Sequence, residues 1–154
     1  MFSITLITVG TLKESWLKES VGEFKKRLTP YCKLAIIELE EVKAGNDVEK
    51  IRAQESQKII KSIPKDSYVV VLDEIGKAMN SQGLSEFVGS RVDEGKQLVF
   101  IIGGSHGYSG EVLQHAQMTL SLSKMTFTHQ MARVFLLEQL YRAFQILGGG
   151  KYHK

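Results

Sequence analysis

Short apolar runs recur along the chain at Phe2–Val9, Leu34–Leu39, Tyr68–Leu72, Leu98–Ile102 and Met118–Leu122. They are brief, rich in Val and Ile, and read as strands; the two central ones are unbroken enough for burial on both faces. Helical spacing fills the gaps. Leu17, Val21, Phe24 and Leu28 make one apolar stripe among Lys and Glu, stopped by Pro30. Val48, Ile51, Ile59 and Ile63 predict a more polar second helix. Leu84, Phe87, Val88 and Val92 predict a third, opened by Ser81 and closed near Gly95. A short fourth is expected around Glu111–Ala116.

The fifth helix, from about Thr128 to Leu147, is apolar around most of its circumference, with Met131, Val134, Phe135, Leu136, Leu137, Leu140, Tyr141, Phe144, Ile146 and Leu147. One sheet face cannot cover such a helix, so its second face is expected to pack on another subunit. Gly148-Gly149-Gly150 ends it and leaves Lys151-Tyr152-His153-Lys154 as a tail. Strands alternating with helices through five rounds imply an α/β domain with a mostly parallel sheet flanked by helices.

At 154 residues, 43% hydrophobic and 24% charged, the chain suits a single domain over 1–154 with an ordinary core. Cys32 is the only cysteine, so no internal disulfide can form, and no Cys/His cluster has zinc spacing. A cytoplasmic protein without a metal is expected. No apolar run approaches the roughly 20 residues a membrane helix needs. Net charge is +3, but its distribution is uneven: residues 120–154 carry Lys124, Arg133, Arg142, Lys151 and Lys154 against Glu138 alone. A local basic surface of this kind favours a phosphate-bearing partner.

Ligands of parallel sheets bind at the carboxyl ends of the strands. Three loops are expected there: Asp73-Glu74-Ile75-Gly76, Gly103-Gly104-Ser105-His106-Gly107 and Ser123-Lys124-Met125-Thr126-Phe127-Thr128. The glycines of the second allow close backbone approach, yet neither G-x-G-x-x-G nor G-x-x-x-x-G-K-[ST] occurs, which disfavours a dinucleotide or P-loop nucleotide. The third offers backbone groups with Met and Phe surface, suited to a flat heteroaromatic ring. Asp73 and Glu74 point to opposite sides of an extended chain and do not make a dyad. Glu38, Glu40 and Glu41 read as a solvated acidic edge, and His106 and His115 as exposed. His129 and Arg133 share one face of the fifth helix, whereas Arg133 and Arg142 lie on nearly opposite faces, so only a dimer could bring both to one pocket.

The ordered set Val9-Gly10, Leu72-Asp73-Glu74-x-Gly76, Ile102-Gly103-Gly104-x-x-Gly107, Ser121-Leu122-Ser123-x-Met125-Thr126, His129-Gln130-x-x-Arg133, Glu138-Gln139-x-Tyr141-Arg142-Ala143 and Tyr152-His153 resembles the ribosomal RNA large subunit methyltransferase H family. These are small SPOUT-superfamily enzymes that methylate N3 of a pseudouridine in 23S rRNA. The resemblance implies a SPOUT-type fold with a C-terminal trefoil knot, S-adenosylmethionine as methyl donor, an obligate homodimer, and ribosomal RNA in an assembled ribosome or large subunit as partner. By position it implies that Leu72, Gly103, Leu122, Ser123, Lys124, Met125, Thr126 and Phe127 line the donor pocket. Arg133, Arg142, Tyr152 and His153 would face the RNA or target base, with His153 as candidate base and the tail reaching the partner's pocket. Thr128 and Lys151 stand where the family frequently has Pro. A flavodoxin-like nucleotide- or flavin-binding module without methyltransferase activity has nearly the same order of elements and is the alternative; a catalytically silent ribosome-binding protein is a third.

Overall fold

The computed structural model describes residues 1–153; Lys154, counted above in the basic C-terminal segment, lies outside them. Its strands are β1 (Ser3–Val9), β2 (Lys33–Leu39), β3 (Ser67–Ala78), β4 (Gln97–Ile102) and β5 (Met118–Ser121). They alternate with helices α1 (Ser15–Leu28), α2 (Val48–Ser62), α3 (Ser81–Glu94), α4 (Gly110–Gln114) and α5 (His129–Leu147). All strand pairings are parallel, in the order β2-β1-β4-β3-β5. This order departs from the 2-1-3-4-5 of a flavodoxin-like sheet, because β4 rather than β3 lies beside β1. The flavodoxin-like alternative is therefore wrong about topology.

The period-2 alternation of each strand divides the core into two layers. Ile4, Leu6, Leu98 and Phe100 face α1, α3 and α5, whereas Ile7, Val9, Val99 and Ile101 face α2 and α4. Because β1 and β4 are covered on both sides, their side chains are buried along nearly their whole length. The unbroken apolar run of β4 requires that burial, whereas β1 also buries Thr5 and Thr8.

Caps set the helix boundaries. Gly95 stops α3 at φ 72°, a conformation that favours glycine. The start of α3 differs by one residue from expectation: Asn80, not Ser81, caps it, with Oδ1 accepting from the Gly83 amide at 2.8 Å. Ser81 instead donates to Gln139 on α5 at 2.6 Å. The largest departure is β3, which continues through Asp73–Gly76 rather than ending in a loop. After a register shift it pairs with β5 again, Lys77 opposite Leu120 and Ala78 opposite Ser121. Gly76 permits this, since a Cβ there would lie 2.9 Å from the Leu120 amide nitrogen.

Helix α5 packs on α1 and α3 and buries Leu136, Leu137, Leu140, Ala143 and Phe144. Phe135 remains 39% and Leu147 47% exposed. No helix among the described residues is long and apolar enough to cross a membrane.

Candidate functional site

At the carboxyl edge of the sheet, a cavity of about 420 Å³ opens between the three segments singled out by the sequence. Strand β3 supplies Leu72, Asp73 and Glu74, and the turn after β4 supplies Ile102, Gly103 and Gly104. The β5–α5 segment supplies Leu122, Ser123, Met125, Thr126 and Phe127, and α5 closes the wall with His129 and Ala132. Of the expected pocket residues, Lys124 alone is not in this wall; its side chain is exposed.

Two carboxylates of β3 each tie one of the two loops to the strand. Tyr108, at the end of the glycine-rich turn, donates its hydroxyl to Asp73, and Thr126, in the β5–α5 segment, donates to Glu74 at 2.5 Å. Asp73 and Glu74 therefore serve different loops, as their opposite directions on the chain predicted. Burial and the neighbouring carboxylate push the Tyr108 phenol well above its ordinary range, so it remains a donor at any physiological pH. The glycine-rich turn is tight, with the Gly107 amide donating to the Gly104 carbonyl at 2.9 Å. A Cβ on Gly103 would lie 3.1 Å from the Gly107 carbonyl carbon, so any side chain there would push against the backbone of the turn. The third segment is stiffened by its own polar groups. Ser123 Oγ accepts from the Met125 amide at 2.9 Å, and Thr128 caps α5 by accepting from the Met131 amide at 3.1 Å.

No lysine or arginine lines the cavity among the described residues, whereas two carboxylates do. A phosphate or flavin phosphate would meet repulsion there without a compensating cation. A flat apolar ring joined to a cationic centre fits the wall chemistry. No group of His, Cys, Asp and Glu among the described residues could hold a metal ion.

Arg133 does not face a nucleic acid. It is 1% exposed, pairs through Nη1 with Glu38 at 2.8 Å, and donates through Nη2 to the carbonyls of Val9 at 3.0 Å and Gly10 at 2.8 Å. Carbonyls at the end of β1 need donors once buried, and a guanidinium reaching from α5 supplies them while Glu38 compensates its charge. Glu38 remains exposed along the expected acidic edge, with Glu40 and Glu41, while its Oε2 reaches inward to the guanidinium.

Arg142 belongs to a second, separate cluster. Its Nη2 donates to Glu138 one turn earlier, and its guanidinium sits over the Tyr152 ring at 4.7 Å. The Tyr152 hydroxyl donates to the same Glu138 at 3.0 Å, and its ring meets Tyr141 edge-on at 4.8 Å. Arg142 Nη1 lies 3.1 Å from His153 Nδ1. A guanidinium has only donors, so Nδ1 is the acceptor and the proton of a neutral imidazole sits on Nε2. Arg142, Tyr152 and His153 thus meet within one chain, the tail lying against its own α5, around Glu138, which was not singled out although its i,i+4 spacing to Arg142 marks it. None of the four lines the cavity. Arg142 lies about 15 Å along α5 from Ala132 in its wall.

His129 was likewise not singled out as a site residue. It lines the cavity, and its Nδ1 is buried with no hydrogen-bond partner. Burial first and the charge of Arg133 second lower its pKa, against a smaller opposing effect of Glu41, so it is neutral at pH 7.

The fold is shared with solved methylases. A probable methylase family protein from Haemophilus influenzae Rd KW20 aligns with a TM-score of 0.55 at 13% identity, over 96% of this chain and 67% of that one. A putative methylase family protein from Neisseria gonorrhoeae aligns with a TM-score of 0.52 at 8% identity, over 91% of this chain and 82% of that one. The SpoU methyltransferase AviRb from Streptomyces viridochromogenes, solved with AdoMet, gives 0.48 at 14% identity, over 97% and 59%. The family model for predicted SPOUT methyltransferases matches residues 2–153, nearly the whole chain. With a parallel sheet, a glycine-lined cavity at its carboxyl edge and this match, the chain belongs to the SPOUT methyltransferase family.

Proposed function

We propose that this protein transfers the methyl group of S-adenosylmethionine to N3 of a pseudouridine in 23S ribosomal RNA, presented by an assembled ribosome or large subunit. It does so as a homodimer with the trefoil knot that the sequence resemblance implies. Support for the donor comes from membership of a methyltransferase family and from the character of the cavity. Support for the target comes from the ordered motifs that run from Val9-Gly10 to Tyr152-His153.

When bound, the donor supplies a methyl group activated by a sulfonium. Leu72, Leu122 and Phe127 offer apolar contact to its ring, and Gly103 lets the backbone approach. The carboxylates of Asp73 and Glu74 favour the cationic centre over a phosphate. Holding the two reactants in line is the main task, and such positioning contributes about 7–11 kcal/mol in favourable systems. The target N3 also carries a proton that must leave. Arg142 offsets negative charge developing on the base carbonyls, and Glu138 fixes its orientation. His153 can accept the N3 proton only after its Nδ1 leaves Arg142, because that contact occupies the lone pair. Arg133, buried under β1, takes no part in contacting substrate.

One observation carries the dimer: the cavity and the Glu138–Arg142 cluster share no residue within a protomer, Glu138 lying about 9 Å and Arg142 about 15 Å along the helix from Ala132. A second copy would bring them together. Mixed dimers test this. Gly103→Val removes the cavity and Arg142→Ala removes the cluster, and each variant alone should be inactive on ribosomes with labelled donor. Mixing them should restore activity, since one site in each heterodimer then combines an intact cavity with the partner's intact cluster. No recovery in verified heterodimers refutes the shared site.

A further inference from the structure

His129 is a polar group that the chain itself leaves unanswered. Its Nδ1 has less than its share of partners in a folded interior, where a buried nitrogen without a hydrogen bond costs about 1–3 kcal/mol. Such a cost persists where a ligand supplies the missing partner. The imidazole lies in the cavity wall with Ala132 of α5 and the residues of the glycine-rich turn.

The charges around the cavity are lopsided. Arg133 contributes one positive charge, already paired with Glu38. Glu41 approaches Gly10 so closely that a Cβ there would lie 2.7 Å from its Oε1. Glu55 is buried, with Oε2 accepting from the Val42 amide at 3.0 Å and Oε1 left without a partner, 3.1 Å from where a Gly104 Cβ would stand. Asp73 and Glu74 face the same cavity from β3. Arg52 adds a second guanidinium, donating through Nε to the His106 carbonyl of the glycine-rich turn at 2.9 Å; the five carboxylates still outnumber the two guanidiniums, and a cationic nitrogen is favoured over an anion.

Resting on the donor reading above, we infer that His129 receives the α-ammonium group of the donor's amino-acid end, with the neutral imidazole Nδ1 accepting a hydrogen bond from it. His129 thereby selects ligands that carry an amino-acid tail over bare nucleosides. The imidazole must be uncharged for this, and burial together with Arg133 keeps it so, with Glu41 opposing. Binding of the tail then weakens below the pH at which His129 protonates, which lies under the usual 6.5.

Calorimetry with three ligands separates the possibilities. S-adenosylhomocysteine carries the amino-acid end, methylthioadenosine lacks it, and both are uncharged at sulfur; S-adenosylmethionine adds the sulfonium. His129→Ala should weaken S-adenosylmethionine and S-adenosylhomocysteine about tenfold or more while methylthioadenosine binding stays within twofold. His129→Asn, whose side-chain oxygen can accept the same bond, should recover most of the loss and abolish the pH dependence of S-adenosylhomocysteine affinity below 6.5. Equal weakening of all three ligands by His129→Ala, or no weakening of any, overturns the inference. If wild-type protein binds neither S-adenosylmethionine nor S-adenosylhomocysteine, the donor reading itself fails, and His129 with it.

Discussion

Replacing Arg133 with methionine keeps a long apolar stem but removes the guanidinium that ties α5 to the end of β1. Two buried carbonyls, of Val9 and Gly10, then lose their donors, at about 1–3 kcal/mol each. Glu38 retains 38% of its side-chain surface and can rehydrate, so its stranded charge adds less than about 1 kcal/mol. The methionine returns about 1–2 kcal/mol through its own burial. A net loss of about 2–4 kcal/mol is expected, a large part of the stability of a domain this size. Urea unfolding at fixed protein concentration reads it as a lower midpoint with unchanged slope. Arg133→Lys should fall between, since one ammonium cannot reach three acceptors in a fixed fork, and Glu38→Gln should cost less than about 1 kcal/mol. If Arg133→Met loses less than about 1 kcal/mol yet abolishes RNA binding, Arg133 faces the substrate after all and the buried clamp is a misreading.

Gly103→Val should abolish measurable S-adenosylmethionine affinity in calorimetry while the far-ultraviolet dichroism of the fold is retained, because its Cβ alone would press on the Gly107 carbonyl carbon. Thr126→Val deletes the hydroxyl held by Glu74, and should cost only a few-fold in donor affinity while raising hydrogen exchange of the Met125–Phe127 amides. Cys32 is buried and its thiol is pushed up to about 11 by desolvation, from an ordinary value of 9.0. Its folded-state pKa is the raised one, so the stability it supports is intact below pH 9 and fades as pH climbs through 11; Cys32→Ala should remove that part of the alkaline decline in urea titrations. At pH 8 its alkylation should track unfolding rather than thiolate availability.

Much of the scaffold was readable from periodicity, because buried parallel strands and amphipathic helices each leave a distinct spacing. Gly95 acts at the helix end where its chemistry placed it. The sequence also placed three segments at the carboxyl edge, and they meet around one cavity. What it hid were features decided by distance in space. The second half of β3 looked like a loop because Asp73, Glu74 and Gly76 are poor strand formers, yet tertiary pairing with β5 overrides that preference. Arg133 looked solvent-facing because arginine is almost never fully buried without a partner, and its partners are about 95 to 124 residues away. His129 was noted only for sharing a helix face with Arg133. Its missing hydrogen bond is a fact of packing that no spacing rule reveals.

The central claim is that the cavity between β3, the Gly103–Gly107 turn and the Leu122–Phe127 segment holds the methyl donor. A crystal structure of the protein grown with S-adenosylhomocysteine tests it most directly. The ligand should lie against Leu72, Gly103 and Phe127, with its amino-acid end toward His129. Density for the ligand at any other place on the protein, with this cavity empty, would contradict the account.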